Sequence, residues 1–276
     1  MTYTIKRPQN FDLSQIFDCG QCFRFNKDKD SDKTYCGVAF GKFLKVSQDS
    51  ENIYFHDTTE ESYNSIWHSF FDMDNDYGGI ISSFCDDTTL NEAALFSSGI
   101  RILRQAPWET LCSFIISQNN NIPRIKGIIE NMSAAFGEEF ECCGNKYYSF
   151  PTAKALAEAG EDKIFSLKTG FRAKYIYDAA QKVESGEIDL DSIYRMNLDE
   201  AMQSLMQIKG VGPKVASCVL LFGFSKYDAF PIDVWVKKIL ANYYADGISS
   251  HLSGPFAGIA QQYLFYYERC KNNVYL

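Results

Sequence analysis

A glycine-rich junction between two helical stretches constrains the fold of this chain more than any other feature. Residues 205–240 read LMQIKGVGPKVASCVLLFGFSKYDAFPIDVWVKKIL. One helix ends at Ile208, Gly-Val-Gly at 210–212 allows a tight turn, and Pro213 suits the first turn of a new helix. The first N–H groups of such a helix are exposed beside the turn and can bind phosphate. The sequence therefore predicts a helix–hairpin–helix over about 198–224.

The spacing of hydrophobic residues changes near residue 92. Before it, side chains alternate with period two in residues 22–25, 44–47 and 53–56, which predicts strands, and the polar residues 26–33 are predicted to be a loop. After it, the apolar spacing is helical, with a break at QNNN (118–121) and further helix starts after Gly170 and at Asn197. We therefore predict an α+β chain with a β-sheet domain at 1–92 and a larger helical region at 93–276.

The charge distribution changes what the net charge implies about partners. The formal net charge is −8, but residues 1–92 hold 8 basic and 16 acidic side chains, whereas residues 93–276 hold 19 of each. Residues 207–240 contain five lysines and two aspartates, a local excess of +3. A modest basic area can hold phosphates on an acidic protein, although a solvated lysine face gives the same count. A nucleic-acid partner is therefore compatible with this chain.

Membrane and secretion signals are not expected in this sequence. The longest apolar run, Val219–Phe224, is far too short to span a bilayer, and the N-terminal residues MTYTIKRPQNFD lack the apolar core of a signal peptide. The expectation is an intracellular protein, in the cytoplasm or nucleoid, with no membrane partner.

Nine cysteines are scattered along the chain without a repeated framework. Cys19 and Cys22 have the spacing of a redox dithiol or half a zinc site, but they lead into the strand-like FRF. A redox CxxC would stand at the start of a helix, where the dipole lowers the thiol pKa. Only Cys270 follows Cys218, so a C-terminal four-cysteine cluster is excluded. In a reducing compartment, most of these cysteines should be small buried side chains.

Lys214 and Asp233 carry the candidate chemistry. Lys214 follows the glycine turn directly, and Asp233 stands nineteen residues later at the start of the next helix. A carboxylate can stabilise positive charge that develops on a substrate during bond cleavage. An uncharged amine can attack an electrophilic carbon and form a Schiff base, and like charges nearby lower the amine pKa. Taken singly, an exposed lysine and a helix-capping aspartate are the commoner meanings.

The string L-x-x-I-x-G-V-G-P-K-x-A, followed by FPIDVWVKKIL, resembles the helix–hairpin–helix DNA glycosylase superfamily with a Gly-Pro-Asp signature. The cysteine count argues against the iron–sulfur branches of that superfamily, and Lys214 argues against the alkylation-repair branch. The stretches CGQCFRF, RILRQAPWETLCSFIISQNNNIPRI, LKTGFRAKYI and GPFAGIAQQYLF resemble the 8-oxoguanine DNA glycosylase family.

This resemblance implies a bifunctional DNA glycosylase/AP lyase that excises 8-oxoguanine from duplex DNA, preferentially opposite cytosine. The implied mechanism uses base flipping, a lysine Schiff base and β-elimination. The implied fold is an N-terminal antiparallel sheet, similar to that of TATA-binding protein, packed on an all-α catalytic region.

The resemblance also implies a role for each matching residue. Lys214 is the nucleophile, and Asp233 stabilises charge. The base pocket would be formed by Gly20, Cys218, Pro231, Gln261 and Phe265. The residues that would enter the duplex or contact the opposite cytosine are Asn119, Arg124, Phe171 and Arg172. The phosphate-binding residues at the hairpin would be Gly210, Gly212 and Val215. The Gly20 carbonyl would accept the N7–H of the oxidised base, whereas guanine presents only an acceptor there.

The implied partner is duplex DNA containing 8-oxoguanine, bound by a monomer. No cofactor and no iron–sulfur cluster is expected, although the carbonyls of Met206, Ile208 and Val211 are suited to a monovalent or calcium-like cation. Two departures are clear: Trp235 stands where the family often has histidine, and Phe171 lacks a hydroxyl. The alternatives are a glycosylase of the same fold for another damaged base, a non-catalytic DNA-binding module, and a thiol redox protein.

Overall fold

A computed structural model describes residues 1–271 of the chain and begins with a five-stranded antiparallel sheet. The strands are β1 (Tyr3–Lys6), β2 (Phe25–Asp28), β3 (Ser31–Ala39), β4 (Lys42–Gln48) and β5 (Asn52–His56), in the spatial order β1-β5-β4-β3-β2. The predicted alternation is confirmed in β4 and β5, because Leu44, Val46, Ile53 and Phe55 are all buried. They face an apolar core shared with the short helix α1 (Leu13–Phe17).

Two expectations for residues 22–33 were wrong. Residues 22–24 are not a strand, and the predicted alternation is not kept: Phe23 packs into the helical core, whereas Cys22 and Phe25 pack into the sheet core. Both sides are buried because the segment runs between the two cores. The predicted loop 26–33 is instead most of the β2–β3 hairpin, whose charged side chains can remain in water while the backbone pairs.

The first 92 residues are β-rich only as far as residue 56. The chain then forms α2 (Glu60–Ser62), a π-helical turn at Tyr63–Trp67, α3 (His68–Phe70), α4 (Tyr77–Ser82) and α5 (Thr88–Phe96). Thr59, Asp76 and Asp87 cap α2, α4 and α5 with their side chains. Helices α4 and α5 pack into the core of the helical region, and the division of domains at residue 92 remains a prediction.

The predicted helices of the second region are confirmed. The helices are α6 (Pro107–Ser117), α7 (Ile122–Phe136), α8 (Ala153–Ala159), α9 (Glu161–Ile164), α10 (Ala173–Glu184), α11 (Leu190–Ile193), α12 (Leu198–Met206), α13 (Pro213–Phe224), α14 (Val234–Tyr243) and α15 (Ala257–Lys271). An irregular turn covers Phe165–Thr169, and 3₁₀ turns cover Gly170–Arg172 and Ser250–Ser253. Asn197 and Glu200 form the capping box expected from the sequence.

The helical region is not purely α, because β6 (Glu139–Cys142) and β7 (Asn145–Tyr148) form a small antiparallel hairpin that was not predicted. Helix α13 lies at the centre of the region, packed against α6 and α12, and is buried from Val215 to Phe224. Its exposed N-terminus therefore projects from a rigid core. Within residues 1–271, no helix combines the length and apolar character needed to cross a membrane.

Candidate active site

A small cavity joins residues from the two ends of the chain. It encloses about 60 Å³ between the 19–20 loop, α6, α13, the start of α14 and α15. Its lining includes both predicted catalytic residues and all five predicted pocket residues, namely Lys214, Asp233, Gly20, Cys218, Pro231, Gln261 and Phe265. Phe114, Phe222, Cys19 and Gln262 complete the lining and were not predicted. Ordinary small-molecule pockets measure roughly 300–1,000 Å³, so this cavity is smaller than a typical ligand site.

The charges of Lys214 and Asp233 both act on the Cys218 thiol. Lys214 lies one helical turn before Cys218 on α13, with its Nζ 5.3 Å from the centre of the Phe114 ring. Burial raises the pKa of the Cys218 thiol. The positive charge of Lys214 lowers this pKa, and the negative charge of Asp233 raises it further. An amine and a carboxylate therefore approach the same thiol from different elements of the fold.

Asp233 is held in place as the N-cap of α14. Its Oδ1 accepts hydrogen bonds from the N–H groups of Trp235 at 2.9 Å and Val236 at 2.8 Å. Within the described part of the chain, its Oδ2 accepts no hydrogen bond. The cap thus fixes the carboxylate of a residue that lines the cavity, while leaving one of its oxygens without a hydrogen bond.

Gly20 lines the cavity, and the neighbouring Gln21 anchors the loop. Gln21 is buried, donates through Nε2 to the carbonyls of Ile16 at 3.0 Å and Arg101 at 2.8 Å, and accepts at Oε1 from the Leu103 N–H at 2.8 Å. Gly20 has φ of +81°, a conformation that glycine adopts without strain. The neighbouring glutamine therefore fixes the backbone that places Gly20 at the cavity.

Gln261 offers an unused polar group. Its side chain is buried on α15, and its Oε1 has no hydrogen-bond partner within residues 1–271. The adjacent Gln262 instead donates to the Cys19 carbonyl at 2.8 Å. A buried acceptor without a partner costs about 1–3 kcal/mol, so Gln261 is poised to accept a hydrogen bond from a ligand.

The CxxC thiols lie in an environment that opposes redox chemistry. Burial raises the pKa of Cys19 to about 12 and that of Cys22 to about 11. Reactive dithiols need a lowered pKa, because the thiolate is the nucleophile. The thiol redox alternative therefore loses its physical basis.

Thiol labelling tests this conclusion. Near pH 8, a maleimide should label exposed Cys85 in the native protein but leave Cys19 and Cys22 unlabelled until denaturant is added. The thiols of Cys19 and Cys22 stay protonated at this pH, because it lies well below their pKa values. Rapid native labelling of Cys19 or Cys22, located by peptide mapping, would contradict the buried placement.

A larger groove opens beside the cavity. It encloses about 580 Å³ and shares Lys214, Asp233 and Phe265 with the cavity. Its walls are the break at 117–120, the starts of α13 and α14, and Arg269 on α15. Arg269 was missed by the sequence interpretation, although its position one helical turn after Phe265 could have indicated a shared face. The groove leads from the surface to the cavity.

The residues expected at the opposite base lie together at the 118–121 break. Asn119 is exposed with φ of +47°, and the Phe171 side chain is 50% exposed. Arg172 is only 2% exposed and donates to the carbonyls of Gln118, Asn119 and Thr169, with its guanidinium 4.4 Å from the Phe171 ring centre. Arg172 thus holds the loop in this structure, and would have to exchange these bonds to contact a base.

Arg124 is more accessible than Arg172. It is exposed and donates to the Lys168 carbonyl at 3.3 Å. The two guanidinium groups are close enough that the charge of Arg124 adds to burial in lowering the pKa of Arg172. Both arginines therefore flank the loop, but Arg124 is exposed and makes one hydrogen bond, whereas Arg172 is buried and makes several.

The hairpin has the geometry that its glycines suggested. Gly210 has φ of +77°, and a Cβ there would approach the Tyr175 ring to 2.5 Å. Gly212 is the N-cap of α13 and provides no side-chain cap, so among the described residues the N–H groups of the first turn remain available beside Lys214 and Val215. This arrangement is suited to an anion.

The predicted carbonyl cation site has mixed surroundings. The Ile208 carbonyl accepts the Val211 N–H at 3.1 Å, and the Lys182 ammonium donates to the adjacent Gln207 carbonyl at 2.6 Å. In residues 1–271, no group of three or more His, Cys, Asp or Glu side chains could hold a metal ion. That finding does not bear on a site made of backbone carbonyls, which remains a prediction.

Residues 4–111 match the 8-oxoguanine DNA glycosylase N-terminal domain, and residues 112–249 match the HhH-GPD superfamily of base excision DNA repair proteins. The N-glycosylase/DNA lyase of Saccharomyces cerevisiae is 32% identical over 255 residues, which cover 84% of this chain and 68% of the yeast protein.

Two solved structures of Clostridium acetobutylicum 8-oxoguanine glycosylase/lyase share the fold. The apo form has a TM-score of 0.91 and 41% identity, covering 96% of both chains. The complex with double-stranded DNA containing cytosine opposite 8-oxoguanine has a TM-score of 0.90 and 40% identity, covering 98% of both chains.

Proposed function

The chain belongs to the HhH-GPD superfamily of base excision DNA repair proteins and is a DNA glycosylase with AP lyase activity, and on this basis we propose that it excises 8-oxoguanine from duplex DNA. One observation carries the proposal: an amine, a carboxylate, an unpartnered amide and an aromatic ring line one cavity that opens into a groove. These are the groups that base excision through a Schiff base requires.

The flipped base enters the cavity between Cys218 and Phe265, and the oxygen of Asp233 left free by the helix cap stabilises positive charge on the sugar. The Lys214 amine, in its neutral form, forms a bond to C1′ as the bond from C1′ to the base breaks and its electron pair leaves with the base. Opening of the sugar ring gives the Schiff base, with the proton from nitrogen passing to the ring oxygen. Loss of a C2′ proton then expels the 3′ phosphate and cleaves the strand.

Gly20 and Gln261 provide the selectivity of the proposed pocket. The Gly20 carbonyl accepts the N7–H of 8-oxoguanine but would face the lone pair of guanine N7, since a carbonyl cannot donate. Such a mismatch costs about 1–3 kcal/mol, a partial contribution to rejecting guanine. The unpartnered amide of Gln261 reads the Watson–Crick edge of the flipped base.

At the other face of the duplex, Asn119 fills the space that the base leaves, and Phe171 wedges the base pairs apart. Arg124 and Arg172 contact the orphaned cytosine, for which the guanidinium fork is suited. The N–H groups beside Gly210, Gly212 and Val215 bind a backbone phosphate, and a monovalent or calcium-like cation on the carbonyls of Met206, Ile208 and Val211 would stabilise the turn. The protein acts as a monomer.

A panel of duplexes tests the substrate and the opposite-base assignment together. Single-turnover strand cleavage is measured with 8-oxoguanine opposite each of the four bases, and with an undamaged duplex as the control. Cleavage should be fastest opposite cytosine, and Arg124→Ala should reduce that preference about 5- to 150-fold, the range expected from losing about 1–3 kcal/mol of base discrimination.

Each outcome of this panel has a distinct meaning. Equal rates opposite all four bases would remove the roles given to Arg124 and Arg172 but leave the chemistry intact. No cleavage of any 8-oxoguanine duplex, with cleavage of another damaged base, would favour the alternative substrate class. Binding without any cleavage would favour the non-catalytic DNA-binding module.

A further inference from the structure

Arg269 occupies the mouth of the active site without an assigned role. It lies near the end of α15, one helical turn after Phe265, with its guanidinium carbon 5.3 Å from the centre of that ring. Its side chain lines the groove together with Asn119, Trp235 and Asp233. Because the flat ring lies beneath the guanidinium, it restricts the orientations that the cation can adopt.

The guanidinium has no direct anionic partner in the described part of the chain. Burial lowers the pKa of Arg269, and the nearby carboxylate of Asp233 opposes this shift, yet no ion pair forms between them within 4.0 Å. Its Nε is buried and has no hydrogen-bond partner within residues 1–271. Leaving a charged donor buried and unbonded is unfavourable, so a bound anion that draws the guanidinium into the groove and supplies an acceptor would remove a cost that the free protein carries.

The rest of the groove points to an anion as that acceptor. Its charged lining comprises the cations Lys214, Lys237 and Arg269 and the single carboxylate Asp233, whose Oδ1 is occupied by the helix cap. Trp235 on the same wall can donate one hydrogen bond but carries no charge, and the Lys238 ammonium lies 4.9 Å from its ring centre. Arg269 is thus a planar cation at the mouth of the cavity, set apart from the amine that performs the chemistry.

We propose that Arg269 binds a backbone phosphate of the damaged strand beside the flipped nucleotide, and that Phe265 fixes the guanidinium for this contact. A guanidinium offers two parallel N–H groups to a phosphate, which a lysine cannot reproduce. This inference rests on the proposed function, since it assumes that the groove holds DNA. Arg269 is a binding and positioning residue here and takes no part in bond cleavage.

The competing explanation is that Arg269 only supports Phe265, which would then stack on the base. A duplex carrying a tetrahydrofuran abasic analogue separates the two explanations, because it retains the phosphates but has no base to stack. The variants are Arg269→Met, which removes the charge, Arg269→Lys, which keeps it, and Lys271→Gln, which removes one cation from the same helix outside the groove. Thermal unfolding checks that each variant is folded.

The dissociation constant is measured between about 50 and 200 mM salt for the abasic duplex. Loss of one phosphate contact should reduce the slope of log K against log salt by about 0.9 in magnitude. Arg269→Met should show this reduction and bind about tenfold more weakly near 0.15 M salt. Arg269→Lys should keep the wild-type slope with a smaller loss of affinity, and Lys271→Gln should match wild type in both.

Two results would overturn the proposal. The first is an unchanged slope and affinity for Arg269→Met on the abasic duplex. The second is a loss of affinity that is confined to 8-oxoguanine duplexes, measured in a Lys214→Gln background. That result would mean that Arg269 only supports Phe265. Failure of the wild-type protein to cleave 8-oxoguanine strands would instead reject the proposed function, and the abasic-duplex slopes would still report on the phosphate contact.

Discussion

Replacing Lys214 with glutamine should eliminate covalent trapping of the protein on DNA and reduce base excision at least about a thousandfold. The substitution removes the amine that forms the bond to C1′ while keeping a polar side chain of similar length. Because Lys214 lies on the first turn of a helix that is otherwise buried, the change should leave the fold intact. Excision is measured in single-turnover reactions on an 8-oxoguanine:cytosine duplex, with borohydride trapping in parallel.

Lys237→Gln is the matched control for this prediction. Lys237 lines the same groove but not the cavity, so its loss should weaken DNA binding without preventing adduct formation. Lys214→Gln should also retain specific binding to the damaged duplex, which shows that the pocket survives. An undiminished adduct in Lys214→Gln would place the nucleophile elsewhere in the chain.

Replacing Asp233 with asparagine should slow excision about 10²- to 10³-fold while leaving thermal stability nearly unchanged. The rate falls because a neutral amide cannot stabilise the charge that develops on the sugar, and the loss of one preorganised electrostatic contact typically has this size. Stability is preserved because asparagine caps a helix about as well as aspartate, and can accept the same N–H groups of Trp235 and Val236. Single-turnover rates and melting temperatures measure the two effects.

Asp233→Ala separates the chemical role of Asp233 from its role as a cap. This variant should show the same slower excision as Asp233→Asn. In addition, its free energy of unfolding should be lower by about 0.5–2 kcal/mol, because the N-terminus of α14 would lose its side-chain acceptor. A wild-type rate in Asp233→Asn would reduce Asp233 to a helix cap, the commoner meaning of an aspartate at this position.

The sequence predicts most of what the site contains, but for different reasons in different places. Lys214 and Cys218 share a helix face by their spacing alone, and Asp233 is a recognisable cap. Gly20 and Phe265 are far apart along the chain, so no local pattern could join them, and only the family resemblance did. The cavity that they share depends on tertiary packing of the loop against α15.

The incorrect predictions have physical explanations. Residues 26–33 are so rich in charge that they suggest a loop, yet pairing with a neighbouring strand satisfies the backbone and leaves those side chains outside. Residues 57–92 form helices of three to nine residues, too short to show a helical period clearly. The base-reading role of Arg172 was not among the incorrect predictions and stays a prediction. What the local sequence could not show is the burial of Arg172 against the carbonyls of the 118–119 break, which depends on a long-range contact.

Mapping the covalent adduct identifies the nucleophile on which the proposed mechanism depends. Wild-type protein is trapped with borohydride on a duplex containing 8-oxoguanine opposite cytosine, digested, and the nucleotide-bearing peptide is identified by mass spectrometry. We expect one adduct, on the Nζ of Lys214, formed with the 8-oxoguanine duplex and absent with the undamaged one. An adduct on any other residue, or none at all from a reaction that cleaves the strand, would contradict a mechanism built on Lys214.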